Sequence, residues 1–272
     1  MNRVITISSN NLEKSLDTKK LLIKKFEENN FLVSSKLEEN TELIVSIGGD
    51  GSFLKTIQDF KFPSVPMVVI NTGHLGFFAE FDPQEIDEFI NLYKNNNFTI
   101  QEVYPLKGSI CTKESSEEIY AVNEIVIKSV CSRTLHLDLR VNENKIENFS
   151  GDGMLISTPI GSTAYNYSAG GSIIDPSLDI LQLTPLAPMN TIAYRSFTSS
   201  IVLSAKSTIN IVPEYRFENS ILVVVDGNEY RFNDITDINI VRSDLKLKLL
   251  RRTEFEFWKR ASEKFCRLKS VS

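Results

Sequence analysis

The chain has 272 residues, 42% hydrophobic and 24% charged, which excludes wholesale disorder and leaves room for one large domain or two modest ones. Its formal net charge of −5 argues against general nucleic-acid binding, and no apolar run approaches the roughly 20 residues a membrane helix needs. The opening MNRVITISSN reads as the start of a strand rather than an export signal, so the expected compartment is the cytoplasm. Three widely spaced cysteines, Cys111, Cys131 and Cys266, and only two histidines disfavour a zinc site of the usual Cys/His kind.

Val4-Ile5-Thr6-Ile7 is short and β-branched, a strand. From Asn11 to Asn29, Leu12, Leu16, Leu21, Leu22 and Phe26 recur near helical spacing. Leu43 to Ile47 and Val65 to Ile70 read as buried strands. Gln84 to Tyr93 reads as a helix that Asp82 caps, stopped by the Asn95-Asn96-Asn97 run. Strands alternating with helices predict a parallel, doubly wound α/β sheet.

Near Thr99 the pattern changes. Short alternating segments follow: Thr99–Val103, Leu106–Thr112, Ile119–Ile127, Leu135–Val141, Met154–Ser157, Ile201–Leu203, Thr208–Val212 and Ile221–Val225. Helical patterns are scarce, Ser162–Gly170 and Leu178–Leu183 being the best, so this stretch predicts an all-β domain. In the basic tail, Phe255, Trp258, Ala261 and Phe265 are spaced for an amphipathic helix between Arg251 and Lys269 that folds back onto the first domain. The expected domains are therefore residues 1–100, 101–250 and a C-terminal segment 251–272.

The strongest local signal is Gly48-Gly49-Asp50-Gly51-Ser52, between a strand and the helix-like run Phe53–Ile57. Glycines let backbone N–H groups approach a phosphate, and a helix N-terminus adds positive potential. A carboxylate in such a loop repels phosphate, so Asp50 makes sense if it acts beside the phosphates, on a hydroxyl or through a metal. The alternative is a tight Asp-Gly turn. The spacing is neither that of a Walker loop nor that of the dinucleotide fingerprint.

Three further segments are candidates. Asn71-Thr72-Gly73-His74-Leu75-Gly76-Phe77-Phe78 follows a strand, with His74 as a second possible base and Phe77 or Phe78 placed to face an adenine ring; a turn with core aromatics is the alternative. Asn123-Glu124 can hydrogen-bond ribose hydroxyls or an adenine edge, or lie on a solvated strand edge. The stretch from Ser150 to Gly171 is dense in small and hydroxyl residues, poor core material and good ligand-contact material.

These pieces, GGDG at 48–51, NTGHLGF at 71–77, NE at 123–124 and GDGMLISTPIGSTAYNYSAGG at 151–171, together resemble the NAD kinase family. GGDG alone is shared with lipid kinases and 6-phosphofructokinases; the long second block is far more specific. The resemblance implies a Rossmann-like N-terminal domain and a β-sandwich-like C-terminal domain with the active site between them. It implies a homo-oligomer, usually a tetramer, whose neighbouring subunits complete the NAD site. The implied reaction moves a terminal phosphoryl group from ATP, or polyphosphate in some members, to the adenosine 2′-hydroxyl of NAD with a divalent metal, normally magnesium.

By the same resemblance, Asp50 is the catalytic carboxylate and Gly51 shapes the phosphate loop. Asn123 and Glu124 hold ribose and adenosine groups, Asp152 contacts the nicotinamide end, and Thr163, Ala164, Tyr165 and Ser168 frame the pocket. Ala187 matches a position whose backbone touches substrate; Lys55 and Asp226 join the set by nearness to the first loop and by a strand-end position. Many relatives carry Arg just before the second Gly-Asp-Gly, where this chain has Phe149-Ser150, which puts one charged contact in doubt. The competing readings are a lipid kinase of the diacylglycerol or sphingosine type and a non-catalytic NAD(H) sensor.

Overall fold

The computed structural model describes residues 3–130, 133–192, 195–214 and 221–266; Cys131 and Lys269 lie outside the described residues. Contacts divide the chain into two units, one comprising the chain up to Val103 and from Leu245 onward, the other Tyr104–Asp244.

The first unit is built on strands β1 (Val4–Ser9), β2 (Leu32–Ser34), β3 (Thr41–Gly48), β4 (Met67–Asn71), β5 (Thr99–Val103) and the last strand of the chain, β18 (Leu247–Arg251). Their order is β2-β1-β3-β4-β18-β5, parallel throughout except for β5, which runs antiparallel to β18 along the edge. Helices α1 (Glu13–Glu28) and α3 (Ile86–Lys94) cover one face, where Leu22, Phe26, Phe89 and Ile90 pack on Ile5, Ile7, Leu43, Val45 and Ile47. Helix α2 (Asp50–Asp59) covers the other, its Thr56 hydroxyl 3.1 Å from those of both Ser46 and Ser8. Both faces are thus buried, which is why β3 reads as a nearly continuous apolar run. Asp82 caps this segment as expected, through a capping box with Glu85, although the helix opens with a 3-10 turn, Pro83–Glu85.

The second unit contains β6 (Leu106–Thr112), β7 (Ser116–Ala121), β8 (Glu124–Ser129), β9 (Leu135–Val141), β10 (Asn144–Gly151), β11 (Gly153–Ser157), β12 (Ile180–Leu186), β13 (Ile201–Ser204), β14 (Ile209–Pro213), β15 (Ile221–Val225), β16 (Asn228–Arg231) and β17 (Ile235–Arg242). They form two antiparallel sheets, β10-β9-β14-β17-β6-β7 and β13-β12-β11-β8-β15-β16. Ile110, Leu137, Ile211 and Ile238 of the first share one core with Ile127, Met154, Ile156 and Val223 of the second, the packing of a β-sandwich.

Four local expectations are corrected. Ile119–Ile127 is not one strand: the chain leaves β7 in one sheet, turns at Val122-Asn123 and enters β8 in the other. Leu178–Leu183 is largely strand β12, because its apolar residues pair with β11 and β13. Ser162–Gly170 breaks into a 3-10 turn (Ile160–Thr163) and a single turn of helix, α4 (Tyr165–Ser168). Thr99–Val103 joins the first unit's sheet through pairing with Leu247–Arg251. Within the expected Arg251–Lys269 stretch, the tail helix α5 spans Phe257–Phe265 among the described residues.

No described helix is long and apolar enough to cross a membrane. Phe89 is fully buried and meets Phe26 edge-on at 5.9 Å and Phe81 at 5.0 Å. Phe89→Ala should lower stability by about 3–5 kcal/mol, measured by urea unfolding; a loss below about 1 kcal/mol would contradict this account of the core.

Candidate active site

Strand β3 runs directly into α2 through Gly48 and Gly49. Gly48 has φ +153°, and a Cβ there would stand 2.4 Å from Ser52 Oγ, so only glycine allows so abrupt a join. The open flanks of Gly49 and Gly51 leave the first turn of α2 bare, and its unpaired N–H groups are an anion-binding end. Asp50, the first residue of the helix, does not point at those amides. Its Oδ2 accepts the Phe77 N–H at 2.9 Å and its Oδ1 the Phe78 N–H at 3.1 Å. A Cβ on Gly76 would lie 2.1 Å from Asp50 Oδ1, so the carboxylate fills the space that glycine leaves. Lys264 Nζ lies 3.9 Å from Asp50 Oδ2.

The loop that supplies these amides is gripped by the tail. Buried Arg251 donates from Nη2 to the Phe77 carbonyl at 3.2 Å, from Nη1 to the Phe78 carbonyl at 3.1 Å and to Glu80 Oε2 at 3.0 Å, and from Nε to Gln101 Oε1 at 2.9 Å. Arg260 on α5 donates to the Gly76 carbonyl at 3.1 Å and also to that of Ala79. Burial holds the Arg251 guanidinium below its ordinary pKa, and the Glu80 carboxylate opposes that shift. Sequence reasoning missed Arg251, Arg260 and Glu80, because Arg251 and Arg260 lie in a Lys/Arg-rich stretch that reads as a basic tail.

In the second unit the turn at Val122–Glu124 is tied to Asp226. This residue follows β15 with φ 48°, and its Oδ2 accepts the Val122 N–H at 2.8 Å while Oδ1 accepts those of Asn123 at 2.7 Å and Glu124 at 3.3 Å. Thr158 secures the same turn, its hydroxyl donating to the Val122 carbonyl at 2.7 Å. Gly161 packs so closely that a Cβ would stand 2.1 Å from the Asn123 carbonyl oxygen. Asn123 and Glu124 are both buried, contrary to the alternation expected of a continuous strand. Asn123 Oδ1 and Glu124 Oε2 have no hydrogen-bond partner among the described residues, two acceptors left for a ligand's donors. Burial, reinforced by the Asp226 charge and opposed by the Tyr165 amide, pushes the Glu124 carboxyl up to about 8. Burial likewise raises Asp226 to about 6, against the opposite pull of its three amide bonds.

The remaining candidates fall into three groups. Thr163, Ala164, Tyr165 and Ser168 lie on the 3-10 turn and α4, with Tyr165 and Ser168 exposed and Thr163 buried; buried Asn166 braces this block through the Ser162 and Ser172 carbonyls and Thr184. Asp152 and Ala187, both exposed, stand at the end of β11 opposite the one that pairs with Glu124, roughly 13 Å of strand away. In the first unit Gly51, Lys55 and His74 are exposed, Lys55 on α2 and His74 in the loop. Phe77 is only 5% exposed, packed between Phe257 at 5.8 Å and Phe265 at 5.7 Å, so its ring offers no face to an adenine; its contribution is the amide.

In the first unit an open helix end stands beside an anchored carboxylate, and in the second, described by itself, two buried acceptors are unmatched; each is chemistry of the kind a nucleotide-dependent phosphotransferase needs. Residues 4–98 match the family model for the ATP-NAD kinase N-terminal domain and residues 122–252 that for the ATP-NAD kinase C-terminal domain. The chain is 37% identical to an NAD kinase of Finegoldia magna over 97% of this chain and 98% of the relative, and 33% identical to one of Streptococcus gordonii over 96% and 94%. Its fold is similar to that of a yeast NADH kinase solved with NADH, with a TM-score of 0.84 at 21% identity, covering 100% of this chain and 90% of that one. It also matches an Archaeoglobus fulgidus NAD kinase solved with ATP, at TM-score 0.74 and 24% identity over 97% of each chain. The chain belongs to the NAD kinase family. That membership sets aside the lipid-kinase reading.

Because the folded protein binds the Glu124 proton more tightly than the unfolded chain does, this group's contribution to stability is lost as pH rises from 4.5 to about 8. Glu124→Gln should therefore raise the melting temperature of ligand-free protein most at about pH 8 and least near pH 5. Thermal unfolding at both pH values checks this, and a difference independent of pH would refute it.

Proposed function

We propose that this chain transfers the terminal phosphoryl group of ATP to the 2′-hydroxyl of the adenosine ribose of NAD, giving NADP, with Asp50 as the carboxylate that aligns the hydroxyl and takes its proton. The observation that carries this reading is the double anchoring of Asp50 by the Phe77 and Phe78 amides. A carboxylate offers about four lone-pair positions, and two amide bonds leave about two to receive a hydroxyl. The anchored plane fixes where that hydroxyl must sit, which is the larger part of what phosphoryl transfer asks of a protein.

The first-turn amides of α2 suit the donor's phosphates, with Gly51 keeping the approach open and Lys55 on the same helix adding positive charge. In the second unit, Asn123 Oδ1 and Glu124 Oε2 are assigned to donors on the adenosine, either ribose hydroxyls or the adenine amino group. A Glu124 carboxyl that is easily kept protonated can donate as well as accept. Tyr165, with Thr163, Ala164 and Ser168, frames that pocket, and Asp226 acts through the backbone by holding the Val122–Glu124 turn.

Among the described residues no three His, Cys, Asp or Glu side chains converge as metal ligands. Magnesium is usually held by one or two carboxylates together with substrate phosphates. Asp50, beside the helix end assigned to the donor's phosphates, is one carboxylate that could share in holding it, and the ion would neutralise the donor's charge.

We further assign Asp152 and Ala187 to a site completed by a second copy of the chain, in a homo-oligomer that we take to be a tetramer. The oligomer rests on the family resemblance; the roughly 13 Å of strand between these residues and Asn123 and Glu124 suits contact with the nicotinamide end, away from the adenosine ribose.

Incubation with NAD, magnesium and either ATP or polyphosphate, followed by an NADP-specific dehydrogenase, tests the activity and identifies the donor. Asp50→Asn should lower kcat about 10²- to 10⁴-fold while the KM for NAD stays within about threefold. A variant that kept more than about a tenth of the parent rate would remove Asp50 from this role.

A further inference from the structure

We propose that Arg251 and Arg260 are positioning residues for phosphoryl transfer, acting on Asp50 through two peptide planes. This rests on the assignment of Asp50 above. The Phe78 N–H that binds Asp50 Oδ1 belongs to the same peptide group as the Phe77 carbonyl, and that carbonyl is held by Arg251 Nη2 at 3.2 Å. The Phe77 N–H that binds Oδ2 shares its peptide group with the Gly76 carbonyl, held by Arg260 Nη1 at 3.1 Å. Each carboxylate oxygen is therefore joined to one guanidinium across one planar peptide unit. A peptide group is rigid, with its C=O and N–H on opposite edges, so fixing the oxygen fixes the direction of the hydrogen. A cation on the carbonyl also polarises the group and strengthens the N–H bond at the other end.

The arrangement is specific to guanidinium chemistry. Arg251 satisfies two carbonyls, Glu80 and Gln101 at once from a planar fork, and a lysine ammonium cannot reach all four. The Glu80 carboxylate compensates the buried charge and accepts the Arg252 N–H at 2.8 Å, binding the strand end to the loop. The contacts that aim Asp50 are thus supplied by chain some two hundred residues later, from β18 and α5.

The test uses Arg251→Lys and Arg260→Met, each alone and combined with Asp50→Asn, with circular dichroism confirming folding at the assay temperature. Arg260 is only partly buried, so its variant keeps the test open if Arg251→Lys does not fold. Each single variant should lose about 10- to 100-fold in kcat with the KM for NAD changed less than about twofold, because a misplaced carboxylate affects the chemical step and not binding. In the Asp50→Asn background both should become nearly silent, within about twofold, since the group they position no longer acts. Folded variants with unchanged kcat, or losses of the same size with and without Asp50, would overturn the proposal. Retention of full rate by Asp50→Asn alone would instead overturn the role of Asp50.

Discussion

Two backbone hydrogen bonds to one carboxylate organise the first unit. An aspartate in the first turn of a helix is attracted to that helix's own N–H groups, where it would occupy the place of an incoming phosphate. Here the Phe77 and Phe78 amides hold the Asp50 side chain instead, and the missing side chain of Gly76 gives it room. The helix end stays available to one anion while a second is fixed beside it. The electrostatic conflict that makes Gly-Asp-Gly odd as a phosphate loop is resolved by geometry.

The second unit solves a different problem, that of presenting hydrogen-bonding groups inside a sandwich. The chain crosses between sheets at Val122–Glu124, and a crossing leaves backbone N–H groups without ladder partners. Asp226 takes three of them. Glu124 and Asn123 are then buried with acceptors unmatched, which costs stability in the free protein. Such a cost is understandable where a bound nucleotide restores the missing partners. Burial raises both the Glu124 and the Asp226 carboxyls, so each holds its proton more tightly than in the unfolded chain.

Much of this was readable from the chain. The burial of β3 on both faces, the join at Gly48–Asp50 and the cap at Asp82 follow from local residue chemistry. The alternating segments after residue 103 identify a β-rich unit even where their ends are misjudged, and the family resemblance supplies the sandwich. What escaped were features made by distant pairing. Strand β5 finds its partner in β18, nearly 150 residues on, so Thr99–Val103 looked like the start of the β-rich region. Ile119–Ile127 looked continuous because both halves are apolar, and the turn is held by residues distant in sequence, Thr158 and, about a hundred residues on, Asp226. Phe77 read as a ligand platform because its motif is glycine-rich, whereas Phe257 and Phe265 cover it. Arg251 read as part of a basic tail, since nothing nearby in sequence shows that it is buried.

The most direct measurement is a crystal structure with NAD and a non-hydrolysable ATP analogue. The account predicts an Asp50 oxygen about 2.6–3.2 Å from the adenosine 2′-hydroxyl, with both loop amides still bound to the carboxylate. A side chain swung away from those amides, or a hydroxyl more than about 5 Å from it and nearer another base, would contradict the claim.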